Sequence, residues 1–171
     1  MDKNKYMTRL LLGNNIVGDD GAKAIADYIK SGRSVLDIWY IAGNRFTAKG
    51  LKWITEALSQ DTQVRHLWLK RNPLGPDSGP LLRDLLTHNQ TLEVLDVLNC
   101  GLLNDGVIEV AKGLSSNRSL RHIYLCANGV KASGAKAVAD AITTSELTTL
   151  YISCNRLGDE GVRYLAEGLK H

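Results

Sequence analysis

The stretch that decides the fold is Leu147–Leu169, "LTTLYISCNRLGDEGVRYLAEGL". Its first half places apolar residues at Leu147, Leu150 and Ile152, ahead of Asn155. Alternation of that kind is the period of a short strand with one buried face. Beyond Gly161 the spacing lengthens to Leu165 and Leu169, the period of a helix with one apolar stripe. With Asn155 as a marker, the same surroundings recur upstream at Asn128, Cys100, Asn72, Asn44 and Asn15. From the first marker to the last the intervals are 29, 28, 28, 28 and 27 residues. A period of this length is the mark of a repeat architecture.

The slots agree from unit to unit. Three before the marker stand Leu12, Ile41, Leu69, Val97, Leu125 and Ile152, and five before it Leu10, Trp39, Leu67, Leu95, Ile123 and Leu150. Eight before it are Met7, Leu36, Val64, Leu92, Leu120 and Leu147. Six after it come Gly21, Gly50, Ser78, Gly106, Gly134 and Gly161. The helical stripe follows, with Ile25, Ile54, Leu82, Val110, Val138 and Leu165, then Ile29, Leu58, Leu86, Leu114, Ile142 and Leu169. Each unit therefore reads as strand, loop and helix with an apolar stripe on both elements. One unit cannot bury both stripes, but stacked units make a continuous core. The expected fold is α/β: a curved solenoid of about six strand–loop–helix units, with a parallel sheet on the concave side and helices on the convex side. The whole chain, 1–171, forms one domain with units at about 7–34, 35–62, 63–91, 92–119, 120–146 and 147–171. The recurrent Asn suits a side chain that bonds backbone groups in the turn leaving the strand, with Cys100 a compact buried replacement.

These residues resemble leucine-rich repeat proteins of the ribonuclease-inhibitor-like subclass, whose pattern LxxLxLxxNxLGDxGxxxLAxxL is nearly complete in Leu147–Leu169. The linkers "HNQTLEVL" (88–95) and "SNRSLRHI" (116–123) are similar to those in the repeat domains of NOD-like receptors. The resemblance covers residues 7–170 and implies the solenoid fold and a role in binding.

Bulk properties bound the function. An apolar fraction of 44%, a charged fraction of 23% and a net charge of +3 describe an ordinary globular chain. That charge is too mild to point to nucleic acid or an anionic membrane. Three scattered cysteines make no disulfide framework, and no signal peptide or membrane span is evident, so a cytoplasmic location is expected. No cofactor is implied.

Sites of chemistry fail one after another. "GVKASGAKA" (129–137) nearly spells a phosphate-binding loop, but Ala135 and Lys136 stand where Lys and Ser/Thr are needed. His66 and His122 share a slot two units apart, about 10 Å along a sheet, too far to share a zinc ion. Cys126 and Cys154 lie in adjacent units, yet no CxxC or HxxxH spacing supports a metal site. No Ser or Cys has a His and a carboxylate in neighbouring concave slots, so the chain is read as non-enzymatic. The sequons at Asn89 and Asn117 fall at the helix-to-strand turn, where Asn is a good helix terminator.

The concave columns carry the sharper signal. Four before the marker the sequence reads Leu11, Tyr40, Trp68, Asp96, Tyr124 and Tyr151; six before it, Arg9, Ile38, His66, Val94, His122 and Thr149. Two before it, the column includes Lys70, Leu98 and Cys126. Strand alternation turns these columns away from the core. A column of Tyr and Trp fits a protein-binding surface better than its alternative, aromatics merely stacking to stabilise a sheet. Trp39 and Trp53 fall in or beside core slots. The expected partner-binding set is Tyr40, His66, Trp68, Lys70, Asp96, His122, Tyr124 and Tyr151, with a protein as partner. Arg65, His66, Lys70 and Arg71 make the third unit basic, which suits an acidic spot on that partner. Neither end shows an obvious polar capping unit, so end-to-end self-association, or membership in a larger assembly, is a further expectation.

Two other classes share this repeat type. Ran GTPase-activating proteins resemble the chain loosely at "RFTAKG" (45–50), but Lys49 stands where their Arg would fall and their acidic tail has no counterpart. Tropomodulin-like actin-binding domains are similar in size, though their additional actin-binding segments are missing.

Overall fold

The structure, a computed structural model, describes Asn4 and residues 6–170. Six strands alternate with six helices: β1 Arg9–Leu11, α1 Gly18–Lys30, β2 Ile38–Tyr40, α2 Ala48–Leu58, β3 His66–Trp68, α3 Ser78–His88, β4 Val94–Asp96, α4 Leu103–Ser116, β5 His122–Tyr124, α5 Ala132–Ile142, β6 Thr149–Tyr151 and α6 Gly158–Gly168. The strands form one parallel sheet in chain order, β1 to β6. Registers such as Trp39↔Leu67 and Leu95↔Ile123 stack equivalent slots without a slip. The array curves, with the sheet inside and the helices outside, because helices are wider than strands. Between the two layers lies one core running from Ala22 to Ala141.

The core slots of the four inner units are closed except at Ile142, which is partly covered. Leu67, Leu69, Ile54, Leu82, Leu95, Val97 and Ile123 are all buried. The outer units differ: Leu10, Leu12, Leu150 and Ile152 are only partly covered, and Leu169, at the end of the last helical stripe, is 77% exposed. A repeat buries its stripe fully only against two neighbours, and among the described residues the first and last units each have one.

The marker asparagines form a ladder that binds unit to unit. Asn72 accepts the Asn44 and Phe46 N–H groups through Oδ1 (2.8 and 3.1 Å) and donates from Nδ2 to the Ile41 and Leu69 carbonyls (3.1 and 2.7 Å). Asn44, Asn128 and Asn155 repeat the arrangement with the unit before each of them. Cys100 keeps the slot filled, with its Sγ 3.4 Å from the Leu69 carbonyl. Burial pushes that thiol up to about 12, although backbone hydrogen bonds from Asn72 and Arg71 oppose the shift.

A second ladder runs along the opposite edge of the core. Asn89 and Asn117, both buried, end α3 and α4. Asn117 Nδ2 donates to the carbonyls of Leu86 and Asn89, and its Oδ1 accepts from Ser119 and Leu120. Both residues do terminate helices, but not through the left-handed conformation that makes Asn a usual terminator. Their backbones are extended (φ −87° and −79°), and each side chain takes a loose carbonyl at the end of the preceding unit's helix, Leu58 for Asn89 and Leu86 for Asn117. Burial in this ladder leaves neither sequon free for a glycan.

Helix starts are capped from the preceding unit. The Asp19 carboxylate accepts the Thr47 and Gly50 N–H groups and the Thr47 hydroxyl. Burial alone would raise its pKa, but these bonds and the nearby Lys49 charge outweigh it and hold Asp19 below the usual carboxylate value. Asn104 does the same for Lys131 and Gly134 in the fifth unit. Helices α3 and α4 approach so closely at Gly79 that a Cβ there would lie 2.7 Å from Gly106 Cα.

Candidate concave site

The near-miss phosphate loop is scaffold. Its Val130 N–H donates to Asn155 Oδ1, and its Lys131 and Gly134 N–H groups donate to Asn104 Oδ1. The amides that would cradle a phosphate are held by neighbouring units. His66 and His122 sit on β3 and β5, with β4 between them. Among the described residues, no three His, Cys, Asp or Glu side chains are grouped to hold a metal ion. The three cysteines are free, Cys100 and Cys126 buried and Cys154 exposed. Trp39 packs in the core edge-on to Tyr28, and the Trp53 ring on α2 carries Lys49 Nζ 5.4 Å from its centroid.

The concave column does converge. Parallel register brings Tyr40, Trp68, Asp96, Tyr124 and Tyr151 side by side. The rings form one row: Tyr40 to Trp68 is 6.0 Å between centroids, Trp68 to Tyr124 is 5.5 Å, and Tyr124 to Tyr151 is 4.3 Å with the planes 5° apart. Such offset and tilted contacts are favourable for aromatic pairs. His122 joins the next strand through Nδ1, 2.9 Å from Thr149 Oγ1. His66 is half-buried on β3, with Ile38 and Val94 as its strand neighbours.

Asp96 departs from expectation. It lies in the concave column but is only 1% exposed, so it is not an open contact residue. Adjacent strands are about 4.8 Å apart, so β3 and β5 are separated by roughly 9.6 Å. The Trp68 and Tyr124 rings close to 5.5 Å only by leaning toward each other across the short side chain between them. Asp96 is therefore roofed. Burial raises its pKa, against the pull of the Leu98 N–H (2.9 Å) and the Lys70 and Arg71 charges. The Tyr124 hydroxyl is raised too, by burial first and then by Tyr151 and Asp96.

Lys70 ties the roof down. Its Nζ lies 3.9 Å from Asp96 Oδ2 and over the rings of Tyr40 and Trp68, 5.3 and 5.5 Å from their centroids. Cation–π contact and ion pairing thus act on one ammonium group. The basic character expected of the third unit is largely cancelled within the chain, since Arg65 pairs with Glu93 and Lys70 with Asp96. Among the cations without an ion pair in the described residues are three at the strand exits, Arg45, Arg71 and Arg156, all exposed. Arg45 and Arg156 were not among the residues expected to bind. Reading the column one after the marker for charge would have found them.

Three stretches, 3–26, 88–111 and 146–166, match a family model described as Leucine Rich repeat. Together with the six stacked strand–loop–helix units, this shows leucine-rich repeats of the ribonuclease-inhibitor-like type in the chain and the leucine-rich repeat solenoid fold. It is 29% identical to NACHT, LRR and PYD domains-containing protein 14 of Homo sapiens, over 92% of this chain and 14% of that protein. It is likewise 29% identical to the ribonuclease inhibitor of Mus musculus, over 88% of this chain and 34% of the inhibitor. The leucine-rich repeat chain thus spans well under half the length of the curated relatives it matches. A solved structure of leiomodin-1 actin-binding site 2 superposes with a TM-score of 0.56 at 16% identity, over 98% of this chain and 84% of that one, a likeness of fold. No helix among the described residues is long and apolar enough to cross a membrane.

Proposed function

We propose that this chain is a non-enzymatic interaction module that holds a protein partner against the concave face. The observation that carries this reading is the unbroken ring row Tyr40–Trp68–Tyr124–Tyr151, fixed from beneath by Lys70 and Asp96. Rigid aromatics that give much contact area for little ordering entropy are the residues on which interfaces concentrate their energy. His66 and His122 flank the row, and the Arg45, Arg71 and Arg156 rim suits acidic residues on the partner's edge. Asp96 serves as the internal brace and not as a contact.

The test is an affinity capture from the native lysate read by mass spectrometry. It compares the wild type with a Tyr40/Trp68/Tyr124/Tyr151→Ala variant whose circular dichroism matches wild type. Partners lost only with the variant support the concave row. Partners retained in full move the function to the helices or the loops. Two defined ligands belong in the same series. Filamentous actin is assayed by pelleting, because the leiomodin structure is of an actin-binding site. Ran loaded with GTP is assayed by phosphate release, with Arg45→Ala as the control for the "RFTAKG" loop. Activity in either assay would replace the general reading with that specific one.

A further inference from the structure

Asp96 is buried, yet half of its carboxylate is unused. Oδ1 accepts the Leu98 N–H at 2.9 Å, while Oδ2 accepts no hydrogen bond among the described residues. Its ion pair is with Lys70, whose Nζ stops 3.9 Å away, beyond hydrogen-bond length. An acceptor left without a donor in so buried a side chain costs free energy that a better-placed donor would recover.

The same ammonium also sits loosely against its rings. Lys70 Nζ lies 5.3 and 5.5 Å from the Tyr40 and Trp68 centroids, toward the outer limit of about 6 Å for such contacts. Its stem leaves the backbone only two residues beyond Trp68, so one point charge is shared among an acid and two rings. The Lys70 side chain is 25% exposed and its four-carbon stem is flexible, so it can swing into water while strands and rings stay in place.

Two rings and an acid around a cation make a cation site, and the chain's own lysine fills it incompletely. A guanidinium fits it better for a geometric reason. It is planar, donates hydrogen bonds in its plane and stacks through its face, so one group can bond the carboxylate and lie on a ring together. It is also more weakly hydrated than an ammonium and gives up water more readily.

We infer that the cage of Tyr40, Trp68 and Asp96 is a binding site for an arginine side chain of the partner, kept closed by Lys70 until that arginine displaces it. This rests on the concave reading above and names the residue that the partner brings to the centre of the row. While Lys70 fills the cage, Asp96 is only a brace. Once Lys70 swings out, Oδ2 becomes the arginine's anchor. One cation replaces another, so the buried acid stays neutralised and the ring row keeps its shape.

Chemical rescue tests this near neutral pH at fixed ionic strength. The probe is N-acetyl-arginine amide, and its neutral isostere N-acetyl-citrulline amide is the control. Lys70→Ala empties the cage, and Lys70→Gln keeps a stem over the rings but removes the charge, with circular dichroism verifying both folds. Both variants are expected to melt below wild type, because Asp96 loses its cation. The arginine probe should raise the Tm of each by at least about 2–4 °C. By calorimetric titration it should bind Lys70→Gln at least about tenfold more tightly than wild type, the gain from one charge-assisted hydrogen bond. Citrulline should do neither, and the arginine probe should have no effect on Lys70→Gln/Asp96→Asn. Equal affinity for wild type and Lys70→Gln overturns the inference, as does rescue by citrulline or rescue that survives Asp96→Asn. N-acetyl-lysine amide acting as strongly as the arginine probe overturns the guanidinium assignment. The probe needs no partner, so failure here leaves the capture result for the ring variant untouched. Partners retained by that ring variant would in turn sink the concave reading without moving these melts.

Discussion

Replacing Asn72 by Ala should destabilise the protein far more than replacing Asn155, although both make the same set of bonds. Asn72 is fully buried and makes two bonds through Oδ1 and two through Nδ2. Its loss strands the Asn44 and Phe46 N–H groups where water does not reach, at about 1–3 kcal/mol for each buried unpaired group. Two such donors cost about 4 kcal/mol. Asn155 holds Asn128, Val130, Leu125 and Ile152 in the same way, but it is partly exposed. Water replaces much of what it supplies, and the loss falls to about 1 kcal/mol, the net worth of exchanged bonds. For a chain of this size, 1 kcal/mol moves Tm by about 2–4 °C. Asn72→Ala should then melt roughly 8–16 °C below wild type, and Asn155→Ala within about 4 °C of it. Urea unfolding followed by far-ultraviolet circular dichroism gives both free energies. Equal losses for the two variants would refute the reasoning, since they would mean that the number of bonds matters and their burial does not.

Three further outcomes follow from the site and its supports. Asp96→Asn should raise Tm at neutral pH, because the native fold raises the Asp96 pKa and so disfavours its charged form. The folded value lies above the unfolded one, so the penalty is fully present above the folded pKa. The gain should therefore fade as pH falls through that value toward the unfolded value of about 3.9, which paired melts across acidic pH will check. Thiol titration of the native protein should label Cys154 fast and Cys126 slowly, with Cys100 reacting only on unfolding; three equal rates would contradict the burial pattern. Gly79→Ala should cost about 1–3 kcal/mol in urea titrations, because its Cβ would meet the Gly106 backbone, which has no rotamer to yield.

Much of the fold was legible because periodicity encodes it twice, once at strand spacing and once at helix spacing, in six aligned copies. Slots such as Leu67, Leu95 and Val110 could be assigned to the core without knowing anything beyond their position. The departures have a common cause. Alternation gives the direction of a side chain but not the depth at which it ends. Asp96 points to the concave side as expected, yet two larger neighbours fold over it. Leu169 occupies a core slot as expected, yet nothing among the described residues covers it. Arg65 and Lys70 make the third unit basic when read alone, and Glu93 and Asp96 of the neighbouring unit pair with them. Each of these outcomes belongs to a junction between units, and a column read down one slot says little about the slot beside it.

The short residue in the aromatic column is what makes the column a surface of fixed shape. Rings on neighbouring strands about 4.8 Å apart can pack against one another as Tyr124 and Tyr151 do. With a fifth ring at position 96, the row would be an even ribbon, free to tilt in concert. Asp96 leaves a gap that Trp68 and Tyr124 close over, and it places a carboxylate beneath them that must keep a cation near. Lys70 meets that need, and it can do so only from between Tyr40 and Trp68. Three rings, one cation and one buried acid thus restrain one another before any partner arrives. Side chains already ordered spare about 0.5–1.5 kcal/mol each on binding. Tyr151, at the open end of the row, stacks on one side only and remains 43% exposed. The rigid part of the surface is therefore its centre, at units two to five. A partner that draws its affinity from preorganisation must seat its own bulky residues there, between the Arg45 and Arg71 rim and the histidines. That arrangement makes Trp68→Ala the most costly single change, because it removes a contact and unroofs Asp96 together.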